Sequence, residues 1–373
     1  MNMIKILSII GTRPEVVKMA PIVKECERRG GRIQHTIVMT GQHRDMCRPF
    51  LELFSISPDW DLEIMRQDQT LNSIISSILT ALPPVLAKVA PDIVLVQGDT
   101  SSAFAAALAA FHAKIPVGHV EAGLRTRSKY NPFPEEMNRT LIGRIADFHF
   151  APTAWARENL LQEGVASHCI FVTGNTSIDA LKMVLASCRA QSDRRVDGID
   201  LGIGRVIAVT THRRESFGEP MANTLRALRT IVTSYPDVHI VLPVHYNPNV
   251  RTQVYELLDG VPRIHLVEPL EYRSFINLLD QAYLVLTDSG GVQEEAPSLG
   301  KPVLVLRETT ERPEGIDAGT ARLVGTNVEN VVAAVSRLLD DGPAYEAMAC
   351  AVNPYGDGTA AVRIVDTLER ELA

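Results

Sequence analysis

Residues 93–123 read IVLVQGDTSSAFAAALAAFHAKIPVGHVEAG, and the fold turns on this stretch. Ile93–Gln97 is a short apolar run rich in β-branched residues, the composition of a strand buried on both faces. Gly98-Asp99-Thr100-Ser101-Ser102 follows as a turn that opens an alanine-rich helix, Ala103–His112. Val117–Val120 is a second buried strand. Strand, helix and strand in close succession mark a parallel sheet covered by helices on both faces.

The same alternation runs through the whole chain. A first set of strands is expected at Ile4–Ile10, Thr36–Thr40, Ile93–Gln97, Val117–Val120 and Phe148–Ala151, with helices such as Val16–Arg29 and Leu71–Val89 between them. A second set falls at Val206–Thr210, His239–Leu242, Ile264–Val267, Leu284–Thr287 and Val303–Leu306. At 373 residues the chain is too long for one ordinary core, so two α/β domains are expected. The polar stretch Gln191–Gly204 separates the two sets and reads as the boundary.

Composition narrows the function. Hydrophobic residues at 46% and charged residues at 22% are those of a globular chain. A net charge of -7 argues against a general attraction to nucleic acid or anionic membrane, so an anionic substrate must meet local positive groups. The cysteines at 26, 47, 169, 188 and 350 show no CxxC pair and read as free thiols in a reducing compartment. Met3–Ile10 reads as a strand rather than a signal peptide, and Ala103–Ala113 is about half a membrane span. A cytoplasmic protein is the expectation.

In open parallel sheets ligands sit beyond the carboxyl ends of the strands, so the loops there hold the candidate chemistry. Gly11-Thr12-Arg13-Pro14-Glu15 follows the first strand, with Lys18 beyond. Arg13 and Lys18 are either solvated residues near a helix cap or contacts for a diphosphate. Asp99 is either an N-cap, its commonest job at that place, or a functional acid. Glu121 ends another strand and is a poor cap, while Glu135 and Glu136 open a helix after a Pro-rich loop. Three strand-end loops offering carboxylates exceed what capping predicts.

The second set repeats the pattern with other residues. His212 lies beside Arg213 and Arg214, a setting for anion contact or proton transfer. Asp288-Ser289-Gly290-Gly291 opens a helix whose free N–H groups suit phosphate oxygens, and Glu294 and Glu295 lie about one turn on, placed for ribose hydroxyls. Glu311-Arg312-Pro313 offers another basic contact. There is no GxxxxGK[ST] loop, HExxH or GxSxG, and the G-x-G at Gly202 and Gly204 precedes a strand and lacks a third Gly. Neither a nicotinamide cofactor nor a metal is expected.

Taken in order, Gly11–Glu15, Gly98–Thr100, His119–Thr126, Pro134–Arg139, Gly174–Ala180, His212–Gly218, Asp288–Pro297 and Thr310–Glu314 resemble the non-hydrolysing UDP-N-acetylglucosamine 2-epimerases from the first strand to the last helix. The resemblance implies a GT-B-like fold, two Rossmann-like domains with parallel sheets facing a central cleft. It sets the domains at 1–172 and 173–358, with a final helix at about 359–373 packing back on the first. By position it makes Asp99, Glu121, Glu135 and His212 catalytic. It gives Arg13, Lys18, Asp99, Glu121, His212, Phe275, Ser289, Gly290, Gly291, Glu295 and Arg312 to the UDP-sugar. Leu270 stands where some members have Gln, which leaves only its backbone for the base. Gln42, His43, Arg66, Glu136 and His245 are placed in a regulatory site for a second UDP-sugar, an activator. A homodimer is also implied.

The implied reaction is reversible inversion at carbon 2 of UDP-N-acetylglucosamine, giving UDP-N-acetylmannosamine for surface polysaccharides. Carbon 2 has no adjacent carbonyl to acidify its hydrogen, so inversion needs transient oxidation or loss of the group on carbon 1. The family's route is anti elimination of UDP to 2-acetamidoglucal, then re-addition, with no cofactor. Which of Asp99, Glu121 and Glu135 takes the proton stays open in the sequence. The competing readings are a GT-B glycosyltransferase using a UDP-sugar donor, a UDP-sugar sensor without turnover, and a hydrolysing relative.

Overall fold

The computed structural model describes residues 3–41, 44–66, 69–191, 194–202, 204–213 and 216–372. The chain forms two compact units, Met1–Ala180 with Tyr355–Ala373, and Leu181–Pro354.

The first unit is built on seven parallel strands: β1 (Ile4–Ile10), β2 (Ile33–Met39), β3 (Trp60–Asp61), β4 (Ile93–Gln97), β5 (Val117–Val120), β6 (Phe148–Ala151) and β7 (Ile170–Val172). Their order is β3-β2-β1-β4-β5-β6-β7. The helices are α1 (Arg13–Arg28), α2 (Arg44–Leu53), α3 (Leu71–Val89), α4 (Ser101–His112), α5 (Glu135–Ile145), α6 (Ala154–Gln162) and α7 (Thr176–Gln191), the last running on into the second unit. Among the described residues α3 is long and apolar enough to cross a membrane, but its Ile74, Ile78, Leu82, Val85 and Leu86 lie in this unit's core. They pack with Leu7, Val94, Val96 and the alanines of α4. Small residues along α4 let it lie close on the sheet.

The second unit opens with an antiparallel pair, β8 (Arg195–Val196) and β9 (Ile199–Asp200). This hairpin occupies the polar stretch read from the sequence as the boundary. The chain passes between the two compact units inside α7, and the polarity of this stretch reflects exposed residues such as Arg195, Asp197 and Asp200. The main sheet has six parallel strands, β10 (Arg205–Thr210), β11 (Val238–Pro243), β12 (Ile264–Val267), β13 (Leu284–Thr287), β14 (Val303–Val305) and β15 (Ala321–Leu323), in the order β12-β11-β10-β13-β14-β15. The helices are α8 (Glu219–Ser234), α9 (Pro248–Leu258), α10 (Tyr272–Gln281), α11 (Gly290–Glu295), α12 (Pro313–Asp317), α13 (Val328–Asp340) and α14 (Gly342–Ala349). The core is aliphatic, with Ile207, Val209, Leu228, Ile240, Leu286 and Val335 fully buried.

Past Pro354 the chain returns to the first unit, where α15 (Ala360–Leu372) packs on α1. Arg29, at the end of α1, is buried between Glu25 of its own helix at 2.7 Å and, on α15, Asp366 at 2.6 Å and Glu369 at 2.5 Å.

Each sheet reverses its strand order once, between β1 and β4 in the first unit and between β10 and β13 in the second. A crevice opens at such a point, because the connections on either side leave in opposite directions. In each unit a buried carboxylate ties the two loops there together. Glu15 accepts hydrogen bonds from the Gly11 and Thr12 N–H groups, both at 2.6 Å, and from Thr100 Oγ1 at 2.5 Å. Asp288 accepts from Thr211 Oγ1 at 3.2 Å and from the His212 and Arg213 N–H groups at 2.8 and 2.9 Å. Gly11 is required for this closeness. A Cβ there would stand 2.6 Å from Ser102 Oγ and 2.8 Å from Thr40 Oγ1.

Three histidines of the first unit give it a defined response to acid. Burial lowers His35 to about 4, His119 to about 3 and His149 to about 4. Folded, they stay neutral while the unfolded chain takes up protons below about 6.5, so stability falls with pH across that window. Three protons correspond to roughly 4 kcal/mol per pH unit at most. Burial raises the Glu15 and Asp99 carboxyls and acts in the opposite sense, which makes the net slope smaller. Urea titrations at pH 7.5 and 5.5 should show the loss, and His119→Gln should reduce it by about one proton. A pH-independent midpoint would rule the account out.

Candidate active site

The loops at the β1–β4 crevice carry the acids. The N-cap of α4 is Thr100, whose Oγ1 accepts the Ala103 N–H at 3.0 Å, so Asp99 is not the cap. The Asp99 carboxylate instead pairs with Arg139 of α5 at 2.6 Å, and its carbonyl accepts from Asn138 Nδ2 at 2.9 Å. Burial raises the Asp99 carboxyl above its ordinary range, and the Glu121 charge adds to this against the pull of Arg139. The result is a carboxyl that holds its proton more tightly than an ordinary aspartate and is a stronger base when ionised.

Glu121 stands immediately after β5 with φ at 65°, a left-handed conformation that a side chain rarely adopts. Backbone held this way collects at functional sites. Its carboxylate takes an ion pair from Lys18, a hydrogen bond from Gln97 Nε2 and another from Asn175 Nδ2 at 3.1 Å. Lys18, assigned by resemblance to the UDP-sugar, thus touches one of the acids. Gly123 fixes the rest of the turn, because at φ 91° a Cβ would stand 2.2 Å from the Ala156 carbonyl oxygen. Glu135 begins α5 half-buried, and its charge reaches Asp99. Arg13 is exposed, its guanidinium 5.7 Å from the centre of the Phe50 ring.

In the second unit the β10–β13 crevice carries the positive groups. His212 Nδ1 lies 3.2 Å from Asp288 Oδ1, and the His212 ring stacks on His245 with centroids 5.6 Å apart. Ser289 and Gly290 begin α11, whose first N–H groups have no helical partner. A Cβ on Gly290 would lie 3.3 Å from Glu311 Oε1, 3.7 Å from Arg213 Nη2 and 3.8 Å from Arg312 Cζ. Two guanidinium groups therefore flank this turn. Against its burial, the Arg307 hydrogen bond and the Arg312 charge hold Glu311 down to about 2. Arg312 also pairs with buried Glu294. Glu295 accepts the Tyr272 hydroxyl at 3.2 Å, which joins α11 to the start of α10, where Leu270 and Phe275 are half-buried.

The residues given to a regulatory site are more scattered in role. Gln42 and His43 lie outside the described residues, and Arg66 is exposed. Glu136 is buried and accepts the Thr126 N–H at 3.0 Å and the Arg127 N–H at 2.8 Å. It holds the loop that follows Glu121. Sequence reasoning singled out no role for Gln97, Arg139, Asn175 or Asp288. Three of these lie within motifs quoted above, and their contacts join residues far apart in the chain.

Two parallel α/β units, each with polar groups gathered where its strand order reverses, define a GT-B-like enzyme architecture. The family model described as UDP-N-acetylglucosamine 2-epimerase matches residues 24–369. The chain is 50% identical to the UDP-N-acetylglucosamine 2-epimerase of Bacillus subtilis, over 99% of this chain and 96% of that protein. It is likewise 50% identical to the enzyme of that name from Escherichia coli, over 98% of each. The crystal structure of UDP-GlcNAc 2-epimerase from Neisseria meningitidis bound to UDP-GlcNAc superposes with a TM-score of 0.89 at 46% identity, covering 99% of this chain and 100% of that one. The chain belongs to the UDP-N-acetylglucosamine 2-epimerase family, whose members are isomerases.

Proposed function

We propose that the protein inverts carbon 2 of UDP-N-acetylglucosamine reversibly, by anti elimination of UDP and re-addition to the 2-acetamidoglucal. The observation that carries this reading is the pairing of Asp99 with Arg139 beside Glu121 with Lys18, two carboxylates at adjacent strand ends. Asp99, its basicity raised by burial, takes the proton from carbon 2. The C1–O bond breaks, its electron pair leaves on the β-phosphate oxygen, and a C1=C2 double bond forms. Return of UDP to carbon 1, with a proton delivered to the other face of carbon 2, gives the manno epimer. That delivery calls for a second acid, drawn from Glu121 and Glu135.

The second unit supplies the grip on the leaving group. The Ser289–Gly291 turn, Arg213 and Arg312 meet the diphosphate, His212 presents Nε2 beside it for proton transfer, and Leu270 and Phe275 border the uracil. Donors fixed where negative charge develops contribute about 3–4 kcal/mol each in comparable sites. His245, stacked on His212, gives a second UDP-sugar bound beside it a route to the catalytic ring. A dimer, and a product destined for surface polysaccharide, belong to the same reading through resemblance.

Incubation in deuterated water tests it directly. Proton NMR should show UDP-N-acetylmannosamine appearing from UDP-N-acetylglucosamine alone, with deuterium at carbon 2 of both sugars. Product without label, or only free sugar and UDP, rejects the reading.

A further inference from the structure

We infer that Asp288 is the positioning residue of His212, fixing Nδ1 as the protonated ring nitrogen and so presenting Nε2 to the substrate. Asp288 is completely buried at the end of β13. Its two oxygens have different work. Oδ2 accepts the Thr211 hydroxyl and the His212 and Arg213 N–H groups, which holds the loop after β10 against the loop after β13. Oδ1 is buried without a hydrogen-bond partner among the described residues, and His212 Nδ1 stands 3.2 Å from it. A buried carboxylate oxygen left unmatched is costly, so the ring is stabilised when Nδ1 carries a proton directed at it.

The stacked His245 restrains the same ring across its face, with an interplanar angle of 22°. Orientation and tautomer are therefore set from two sides, by an acid at the edge and a ring on the face. This is the logic by which a buried acid governs a catalytic histidine in hydrolases of unrelated fold. The loop connections make it specific to this crevice, because the carboxylate that joins the two loops also faces the imidazole one of them carries.

The inference rests on the proposed reaction for its consequence, but not for its structural content. Asp288→Asn is the test. The asparagine keeps an oxygen for the backbone N–H groups and places an amide N–H where Oδ1 stood, so Nδ1 must accept and the proton moves to Nε2. In protein labelled with nitrogen-15 histidine, long-range proton–nitrogen spectra should show His212 protonated at Nδ1 in the wild type and at Nε2 in the variant. The His212→Gln variant identifies the signals by their loss. Turnover should fall about 10²–10³-fold with KM within about threefold, since the loop contacts survive. A wild-type ring that is bare at Nδ1 overturns the inference without any variant. So does an Asp288→Asn enzyme with unchanged ring signals or turnover within about threefold of wild type. A wild type that does not exchange carbon 2 at all would instead defeat the proposed reaction, leaving the spectra to decide the pairing.

Discussion

Asp99→Asn is expected to lower kcat for carbon 2 inversion by about 10³-fold while KM moves less than about threefold, since a positioned acid or base contributes roughly 10²–10⁴-fold. The substitution keeps the size of the side chain and removes its capacity to hold a proton. It also removes the carboxylate 2.6 Å from Arg139, which keeps Glu136 at 3.5 Å, so Arg139→Met serves as the control. If loss of the ion pair alone were responsible, the two variants would be equally slow. Deuterium uptake at carbon 2 should vanish with turnover in Asp99→Asn, because the step removed is proton abstraction itself. An Asp99→Asn enzyme with kcat within about tenfold of wild type would move the base to Glu121 or Glu135.

Arg29→Met is expected to lower the melting temperature of the first unit by roughly 10 °C without touching the chemistry. The guanidinium is 6% exposed and bridges Glu25, Asp366 and Glu369, so its loss leaves Glu25 to Arg28 and Glu369 to Arg32 at 3.4 Å, both carboxylates being largely out of water. Breaking a buried pair from one side typically costs about 3–5 kcal/mol, and a unit of this size shifts by about 2–4 °C per kcal/mol. The neighbouring Arg28 is mostly exposed, and Arg28→Met should change the transition by no more than about 2 °C. Scanning calorimetry of the two variants distinguishes them. Equal melting temperatures would mean that α15 docks through its apolar face alone.

The strands nearest the middle of each sheet were legible because burial on both faces makes them unbroken apolar runs. β1, β4, β5, β6 and β13 fall where the sequence put them. The short edge strands β3, β7 and β15 were not, because two or three residues such as Trp60–Asp61 carry no periodicity to read. The hairpin β8–β9 was hidden in the same way, its exposure making it resemble a linker. The acids could be placed at strand ends from the sequence, but not their partners. That Glu121 draws on both Lys18 of α1 and Asn175, just ahead of α7, depends on which loops the strand order brings together. Likewise Asp288 looked like one more residue of a glycine turn. Only the return of β10 beside β13 sets it under His212.

The docking of α15 on α1 has a consequence for how the molecule is made. Arg29 leaves the ribosome 340 residues ahead of Glu369, the α15 carboxylate with which it pairs. Residues 181–354 form a continuous stretch with its own sheet and core, so the strands of that sheet are all made before residue 355. The first unit therefore starts to be made before the second and is completed after it.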